Sequence, residues 1–427
     1  MRKLACIIIM TLLASNLPAD PLALSAHDAV ELAKATSLDF YSQSLALDAA
    51  HRDLENSWNL FLPGVSVGAT AKYGDSLLIK NAKPSSQEAF SSSLTAGLRL
   101  SLASSIIFDQ KNRQTDYRSA EIGEQDAVAR LTRDVQKAYY FLVSLKLDID
   151  NKATAVTLAS DRVKLASARF NSGMGSELDL LRARMSESNA RSSHQRTITD
   201  YEKRQASFRR MVGLVPGETF NLSSALEVPA NPVKLSSDPN LEGRADLQKA
   251  SMAVQAAESA ITRYVTINRL PLLSIDAAWN YSLTDRKTSK DAYSLSAGLT
   301  FNPDAWIPGS RKDLELKRLL DSKERLTLAY EQAKRAAFDE IEALKLDIDF
   351  TRDNLTVAEG QISLAERILV RTREAYDRGV ATSLELDEAQ LAVDSARQSL
   401  IALRYQYLSL LIDLGYALNL PWQSLVE

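Results

Sequence analysis

The sequence predicts an α+β fold made mostly of long coiled-coil helices, with four β-strands and an internal two-fold repeat. A glycine turn occurs twice, as RFNSGMGSELDLLRA around Gly173 and as AYDRGVATSLELDEA around Gly379. A long apolar heptad pattern leads into each turn, which is typical of coiled-coil helices. Four further segments alternate apolar and polar residues, and such alternation indicates strands with one apolar face.

Residues 1–25 have the pattern of a secretory signal peptide. Arg2 and Lys3 precede an apolar run from Leu4 to Ala14, and small residues follow at positions 19–25, where we expect cleavage. The only cysteine, Cys6, lies in this segment. The mature chain is therefore expected to contain neither a thiol nor a disulfide.

The first repeat is predicted to span residues 26–231. Ser25 can cap its first helix, and Gly173 and Gly213 can end its two later helices, because glycine adopts the left-handed conformation at low cost. The predicted elements are a helix over 25–63, strands over 64–73 and 93–102, a long helix over 107–170, and a return helix over 176–212. At 1.5 Å per residue the long helix would measure ~95 Å.

The second repeat is predicted to span residues 232–427, after a proline-rich linker over 215–243 that holds a short strand or turn. Its predicted elements are a helix over 244–268, strands from 270 and up to 301, and a long helix over 310–376. The box LKLDID occurs at 145–150 and again at 344–349. The two boxes are one heptad closer together than the two turn glycines, a change that keeps the heptad seam in register.

The four predicted strands each have one wholly apolar face, and a tilted strand of about ten residues can cross a bilayer. Four strands cannot close a barrel, and open strand edges are not tolerated in lipid. Three chains would supply twelve strands, so we predict a trimeric twelve-stranded transmembrane β-barrel joined to a barrel of long helices. The alternative is a soluble sheet that dimerises face to face. Both turns are expected ~95–100 Å from the membrane end.

Three sequence features occur together in a known family. They are the doubled turn at Phe170–Asp179 and Tyr376–Glu385, a doubled Leu-Pro before a strand at Pro63 and Pro271, and the sequence Arg-Ala-Asp-Leu at 244–247. Over nearly its whole mature length the chain resembles the TolC-type outer membrane efflux protein (OEP) family. The resemblance implies a homotrimer in outer-membrane lipid, with a helical tunnel in the periplasm that a periplasmic adaptor (membrane fusion) protein and an inner-membrane pump engage.

The resemblance also implies a gate at the periplasmic end of the tunnel. The family's acidic ring corresponds to Glu385 and Glu388, although acids at a helix start are also favoured by the helix dipole alone. Some members latch the gate through an arginine whose position here is Ala381, so that latch is in doubt. Asp179 and Tyr376 are the remaining candidate gate contacts.

The exposed turns are candidate docking surfaces for the adaptor, because small or apolar residues there have no evident structural role. The docking residues are Gly173, Met174, Gly175, Ser176, Gly379, Val380, Ala381 and Thr382.

The sequence thus predicts a duct of a tripartite efflux or type I secretion system that exports small molecules or proteins to the exterior. The alternative is a soluble periplasmic coiled-coil scaffold or adaptor-like protein. With a net charge of −3 and three scattered histidines, we expect no nucleic-acid partner, no metal and no cofactor. No grouping of a nucleophile with a base is evident, so we expect no enzymatic activity.

Overall fold

The computed structural model describes residues 22–73, 90–102, 106–215, 217–229, 241, 243–269, 272–284, 289–300 and 303–426. The chain forms two compact units, each built from both halves of the sequence. The helical unit comprises residues up to 42, residues 125–244 and residues from 336 onward. The strand unit comprises residues 43–124 and 245–335. The division into repeats over 26–231 and 232–427 stays a prediction.

The described chain is mostly helical, and its helices and strands follow the predicted order. The helices are α1 (Ala26–Thr36), α2 (Leu38–Glu55), α3 (Ile106–Asn171), α4 (Glu177–Val212), α5 (Ala245–Arg269), α6 (Arg311–Asp377) and α7 (Ser383–Leu418). The strands are β1 (Leu22–Leu24), β2 (Gly64–Tyr73), β3 (Phe90–Leu102), β4 (Phe220–Leu222), β5 (Leu272–Thr284) and β6 (Ser289–Thr300). Short 3-10 helices occupy Ser57–Phe61, Pro303–Trp306 and Trp422–Leu425. Among the described residues, no helix combines the length and the hydropathy needed to cross a membrane.

The strand unit contains a four-stranded antiparallel sheet in the order β2-β3-β5-β6. Its register places the apolar residues of all four strands on one face, because directly paired residues share a face. One such row is Val65, Leu98, Ala277 and Leu295, and the row beside it on the opposite face is Ser66, Gly97, Ala278 and Ser294. The predicted alternation of the four strands is therefore confirmed.

The apolar face of this sheet is exposed within the single chain. Val67 is 74% exposed, Leu295 is 80% exposed and Leu299 is 71% exposed. On the polar face, Arg99 forms an ion pair with its cross-strand partner Asp276. The sheet therefore has an apolar surface that nothing else in the described strand unit buries.

The helices of the strand unit are joined mainly by polar contacts. An Arg113 guanidinium nitrogen donates to the Asp53 carbonyl at 2.8 Å, which links α3 to α2. Lys323 pairs with Glu258 at 2.8 Å, which links α6 to α5. Helix α2 has no buried residue. The single chain thus builds only a small apolar core in this unit.

The helical unit has the extended apolar core that the heptad patterns predict. Helix α3 runs for 66 residues and α6 for 67, and α6 buries residues at seven-residue steps, namely Ile341, Ile348 and Leu355. Ion pairs from Arg397 to Glu366 and from Arg404 to Glu359 join α7 to α6. The coiled-coil prediction is confirmed for these helices, although Phe170 at the end of the predicted seam is exposed.

The prediction of a single helix over 25–63 is wrong, because the chain breaks at Ser37 into α1 and α2. Ser37 is extended, with φ −65° and ψ 122°, and its N–H still bonds to the Ala33 carbonyl. The Thr36 hydroxyl donates to the Val212 carbonyl at 3.1 Å, and a Cβ at Gly213 would lie 2.2 Å from Thr36 Oγ1. The close approach to the end of α4 therefore fixes where α1 ends.

The predicted linker contains a short strand, β4, which pairs in parallel with β1. Leu24 of β1 is buried, and its carbonyl accepts a 2.8 Å hydrogen bond from the hydroxyl of buried Tyr139. That hydroxyl also accepts from the Ser224 N–H at 2.9 Å. Since β1 lies at the end of the predicted signal peptide, cleavage before Leu22 would retain it. The rest of that segment and residues 230–240 lie outside the described residues.

A buried polar cluster joins α3 to α4. Lys152 Nζ lies 2.8 Å from Asp148 Oδ2 and 2.7 Å from Thr197 Oγ1, and both Asp148 and Thr197 are buried. The amine at this seam position is therefore held by two partners inside the helix pair. Breaking such a pair costs more than replacing it entirely, because one charge is left without its partner.

We expect Asp148→Leu to lower the free energy of unfolding by roughly 1–3 kcal/mol, because the Lys152 ammonium loses its counter-ion. The double variant Asp148→Leu/Lys152→Leu should recover most of this loss, because no buried charge remains. Urea or thermal unfolding of the detergent-solubilised protein measures both. Equal stability of the wild type and the single variant would show that the cluster contributes nothing.

Candidate functional site: the two helix-hairpin tips

The first tip is a tight turn between α3 and α4. Gly173 has φ +74°, and its N–H bonds to the Phe170 carbonyl while the Met174 N–H bonds to the Arg169 carbonyl, both at 2.9 Å. These two bonds form a Schellman motif, which satisfies carbonyls at the end of α3. The Ser176 hydroxyl then caps α4 by accepting from the Asp179 N–H at 3.1 Å.

The second tip, between α6 and α7, has the same geometry. Gly379 has φ +77°, and the Gly379 and Val380 N–H groups bond to the carbonyls of Tyr376 and Ala375 at 3.0 and 2.9 Å. Thr382 caps α7 and forms a full capping box with Glu385. The sequence repeat at the turns is thus also a structural repeat.

The tips expose apolar side chains that the turn geometry does not use. Met174 is 80% exposed and Val380 is 81% exposed, while the backbone of each turn is satisfied by its own hydrogen bonds. Gly175 differs, because a Cβ there would lie 3.0 Å from the Arg169 Cβ and 3.1 Å from the Phe170 nitrogen. Gly175 therefore has a packing role that the sequence did not reveal.

Within the helical unit the two hairpins meet beside these tips. The Ser383 hydroxyl of α7 donates to Asp179 Oδ1 of α4 at 2.8 Å. Asp387, one turn further along α7, forms an ion pair with Arg162 of α3. Both side chains of this ion pair are about four-fifths buried, with exposures of 22% and 20%. We call these two contacts the tip joint.

The candidate gate residues take different positions at this joint. Asp179 joins the two hairpins, while the Tyr376 ring lies under the Arg169 guanidinium at 4.8 Å. Asp179 and Tyr376 line the same cavity, of about 180 Å³, without a hydrogen bond between them among the described residues. The structure therefore brings both residues to the tip joint but pairs each with another partner.

The two candidate ring acids are both exposed and differ in their bonding. Glu385 Oε2 accepts from the Thr382 N–H at 2.7 Å, and this bond holds the pKa of Glu385 below its usual value. The cap is therefore strongest above the ordinary carboxyl pKa and weakens as pH falls through the lowered one. Glu388 is exposed one turn later on α7. The ring assignment of both residues stays a prediction.

Asp387 and Arg162 are site residues that the sequence did not identify as partners. Burial raises the pKa of the Asp387 carboxyl, more than the neighbouring Arg162 guanidinium lowers it. The ion pair should therefore be lost at a higher pH than an exposed aspartate pair would be, because Asp387 takes up its proton earlier as pH falls. An arginine beside the α3 seam, with an acid five residues after the second cap, was the available sequence signal.

No cluster of three or more possible metal ligands occurs in the part of the chain that the structure describes. The site chemistry of the tips is instead that of exposed apolar side chains, carboxylates and ion pairs. Such an arrangement suits docking and the control of a passage.

A family model described as outer membrane efflux protein matches residues 29–214 and 238–420. The outer membrane efflux protein BepC of Brucella suis biovar 1 (strain 1330) is 23% identical over 343 residues, which cover 74% of this chain and 71% of BepC.

Solved structures with the same fold span nearly the entire chain. The Campylobacter jejuni CmeC outer membrane channel has a TM-score of 0.77 at 15% identity, covering 95% of this chain and 90% of its own. CusC, whose crystal structures concern folding and transmembrane channel formation, has a TM-score of 0.76 at 16% identity and covers 95% of each chain.

Charge reversal of the tip joint should loosen the start of α7. We expect Arg162→Glu to speed backbone hydrogen exchange over residues 383–390 by about tenfold, because the variant places two carboxylates together in a part-buried position. The swapped double variant Arg162→Glu/Asp387→Arg should restore slow exchange. Mass spectrometry of exchanged peptides measures both, and unchanged exchange in the single variant would show that the ion pair does not hold the joint.

Proposed function

Because the chain belongs to the outer membrane efflux protein family, we propose that three copies form the outer-membrane duct of a tripartite efflux or type I secretion system. The family places the protein in the outer membrane, with its helical part in the periplasm. The family and the proteins of the same fold are channels rather than enzymes. The proposed cargo is small molecules or proteins that leave from the periplasmic side.

The observation that carries this proposal is the exposed apolar face of the sheet. Lipid tails are a suitable surroundings for such a face, and the polar face of small residues suits a water-filled lumen. Edge strands β2 and β6 each pair on one side only among the described strands. Since unpaired edges are costly in lipid, we infer that β6 of one copy pairs with β2 of the next and that three copies close the barrel.

This observation also decides against the alternative of a soluble periplasmic scaffold. A scaffold would need to bury or solvate the sheet, yet residues such as Val65, Tyr293 and Leu295 on the apolar face are exposed. Exposed apolar patches of this extent indicate a membrane or a protein partner. The family match favours the membrane.

We propose that the tips dock a periplasmic adaptor that also binds an inner-membrane pump. The proposed docking residues are Gly173, Met174, Gly175, Ser176, Gly379, Val380, Ala381 and Thr382. The exposure of Met174 and Val380 supports this proposal, because their side chains are free to enter a partner's surface.

We propose further that Glu385 and Glu388 face the axis of the trimer and form an acidic ring. Asp179, Tyr376 and the ion pair between Arg162 and Asp387 would then hold the hairpins that carry this ring. Ala381 stands where some members have a latching arginine, and the Arg162–Asp387 ion pair is a substitute within one chain.

Charge on the tips should abolish export without affecting assembly. We expect Gly173→Glu and Val380→Asp each to lower export to background, because a charge desolvated in a docking surface costs more than the contact returns. An export assay in cells, with trimer and membrane insertion measured in parallel, checks this. Val380→Leu is the matched control and should export normally. Loss of the trimer in the charged variants would mean that the tips are structural.

Removal of the ring charges should weaken cation selectivity. Six carboxylates around one axis attract cations and bind hard multivalent cations, so the wild-type channel in a planar bilayer should favour cations and be blocked by multivalent cations from the periplasmic side. Glu385→Gln/Glu388→Gln should reduce both properties, while glutamine at 385 still serves the capping box. The control Asp353→Asn, an exposed change elsewhere on α6, should leave both unchanged. Wild-type selectivity and block in the double variant would exclude the ring.

A further inference from the structure

A cavity of about 180 Å³ lies inside the tip joint, between α3, α4, α6 and α7 of the helical unit. One part of its wall is apolar and is formed by Leu158, Leu165, Leu369 and Leu386. An apolar protein cavity of about 150 Å³ binds benzene, so this cavity has room for one small ring or a branched chain. Its position gives an occupant contacts with both hairpins at once.

The rest of the wall carries an excess of negative charge. Asp179 and Asp377 line the cavity, and neither forms an ion pair among the described residues. Asp179 is held only by the hydroxyls of Ser176 and Ser383 and so keeps its full charge. Arg373 is the one unpaired cation among the described lining residues.

The paired groups of the wall do not change this balance. Arg162 is neutralised by Asp387, and Asp161 by Lys164. Two unpaired carboxylates face one unpaired guanidinium, so the cavity lacks one positive charge. A ligand with an apolar body and a single cationic head would satisfy both parts of the wall.

We propose that this cavity binds a small amphiphilic organic cation and that its binding holds the two hairpins together. The second part rests on the proposed function, because it concerns the opening of the tunnel. A ligand that contacts α3 and α4 on one side and α6 and α7 on the other favours the joined state by its binding free energy. Binding itself requires only the helical unit as the structure shows it.

Three probes of equal shape separate charge from size. Benzylammonium, benzyl alcohol and benzoate are titrated into the detergent-solubilised full-length protein by calorimetry, with empty micelles as the blank. Benzylammonium should saturate one site per chain, and the neutral and anionic probes should bind at least tenfold more weakly. Equal binding of the three probes, or no binding of benzylammonium, would overturn the proposal.

Two variants place the site in the cavity. Asp377→Asn removes an unpaired carboxylate, and Ala183→Leu fills the cavity from α4. Each should weaken benzylammonium binding at least tenfold, whereas Asp353→Asn, on the exposed surface of α6, should not. Unchanged affinity in either cavity variant would overturn the proposal. Hydrogen exchange of unliganded Ala183→Leu over residues 383–390 verifies that its joint is intact.

The effect on the hairpins is measured with the same probe. Saturating benzylammonium should slow hydrogen exchange over residues 383–390 at least threefold in the wild type and leave it unchanged in Asp377→Asn. Binding without slower exchange would overturn the second part of the proposal. Because neither readout uses export or conductance, failure here is separable from failure of the proposed duct.

Discussion

The structure depends on the backbone hydrogen bonding of the four-stranded sheet. Inside the sheet every strand pairs with its neighbours, but β2 and β6 present unpaired edges, and the apolar face is exposed. In water such a sheet would aggregate, and in lipid its edges would be unsatisfied. Closure by further copies removes both costs at once. The trimer is therefore a consequence of one chain having too few strands to close a barrel.

Duplication explains why the two tips share a turn, and divergence explains why they do different things. Asp179 and Glu385 occupy the same position after the cap in α4 and α7. Glu385 is long enough to fold back onto the Thr382 backbone, whereas Asp179 bonds its own cap hydroxyl and Ser383 of the other hairpin. One methylene thus separates an acid that completes its own helix start from one that joins two hairpins.

Much of the fold could be predicted from local sequence patterns. The strand alternation, the heptads and the doubled glycine turn placed most elements within a few residues, because each pattern follows the geometry of one element. The break at Ser37 could not be found in this way, since it depends on Thr36 lying against Gly213 near the end of α4. The same holds for the pairing of β1 with β4, whose residues are far apart in sequence.

The candidate site was predicted only as far as the repeat reaches. The turn residues and their caps follow from local chemistry, so the sequence placed them correctly. The partners of Asp179 and Lys152 and the pairing of Arg162 with Asp387 depend on how separate helices pack side by side. A charged residue beside a heptad seam does not indicate which helix will neutralise it.

The central claim is that several copies close one membrane sheet, and native mass spectrometry of the detergent-solubilised protein tests it most directly. The account predicts a trimer that requires detergent to remain in solution and retains the strand signal in circular dichroism. A monodisperse monomer that is soluble without detergent and keeps the same strand signal would contradict it.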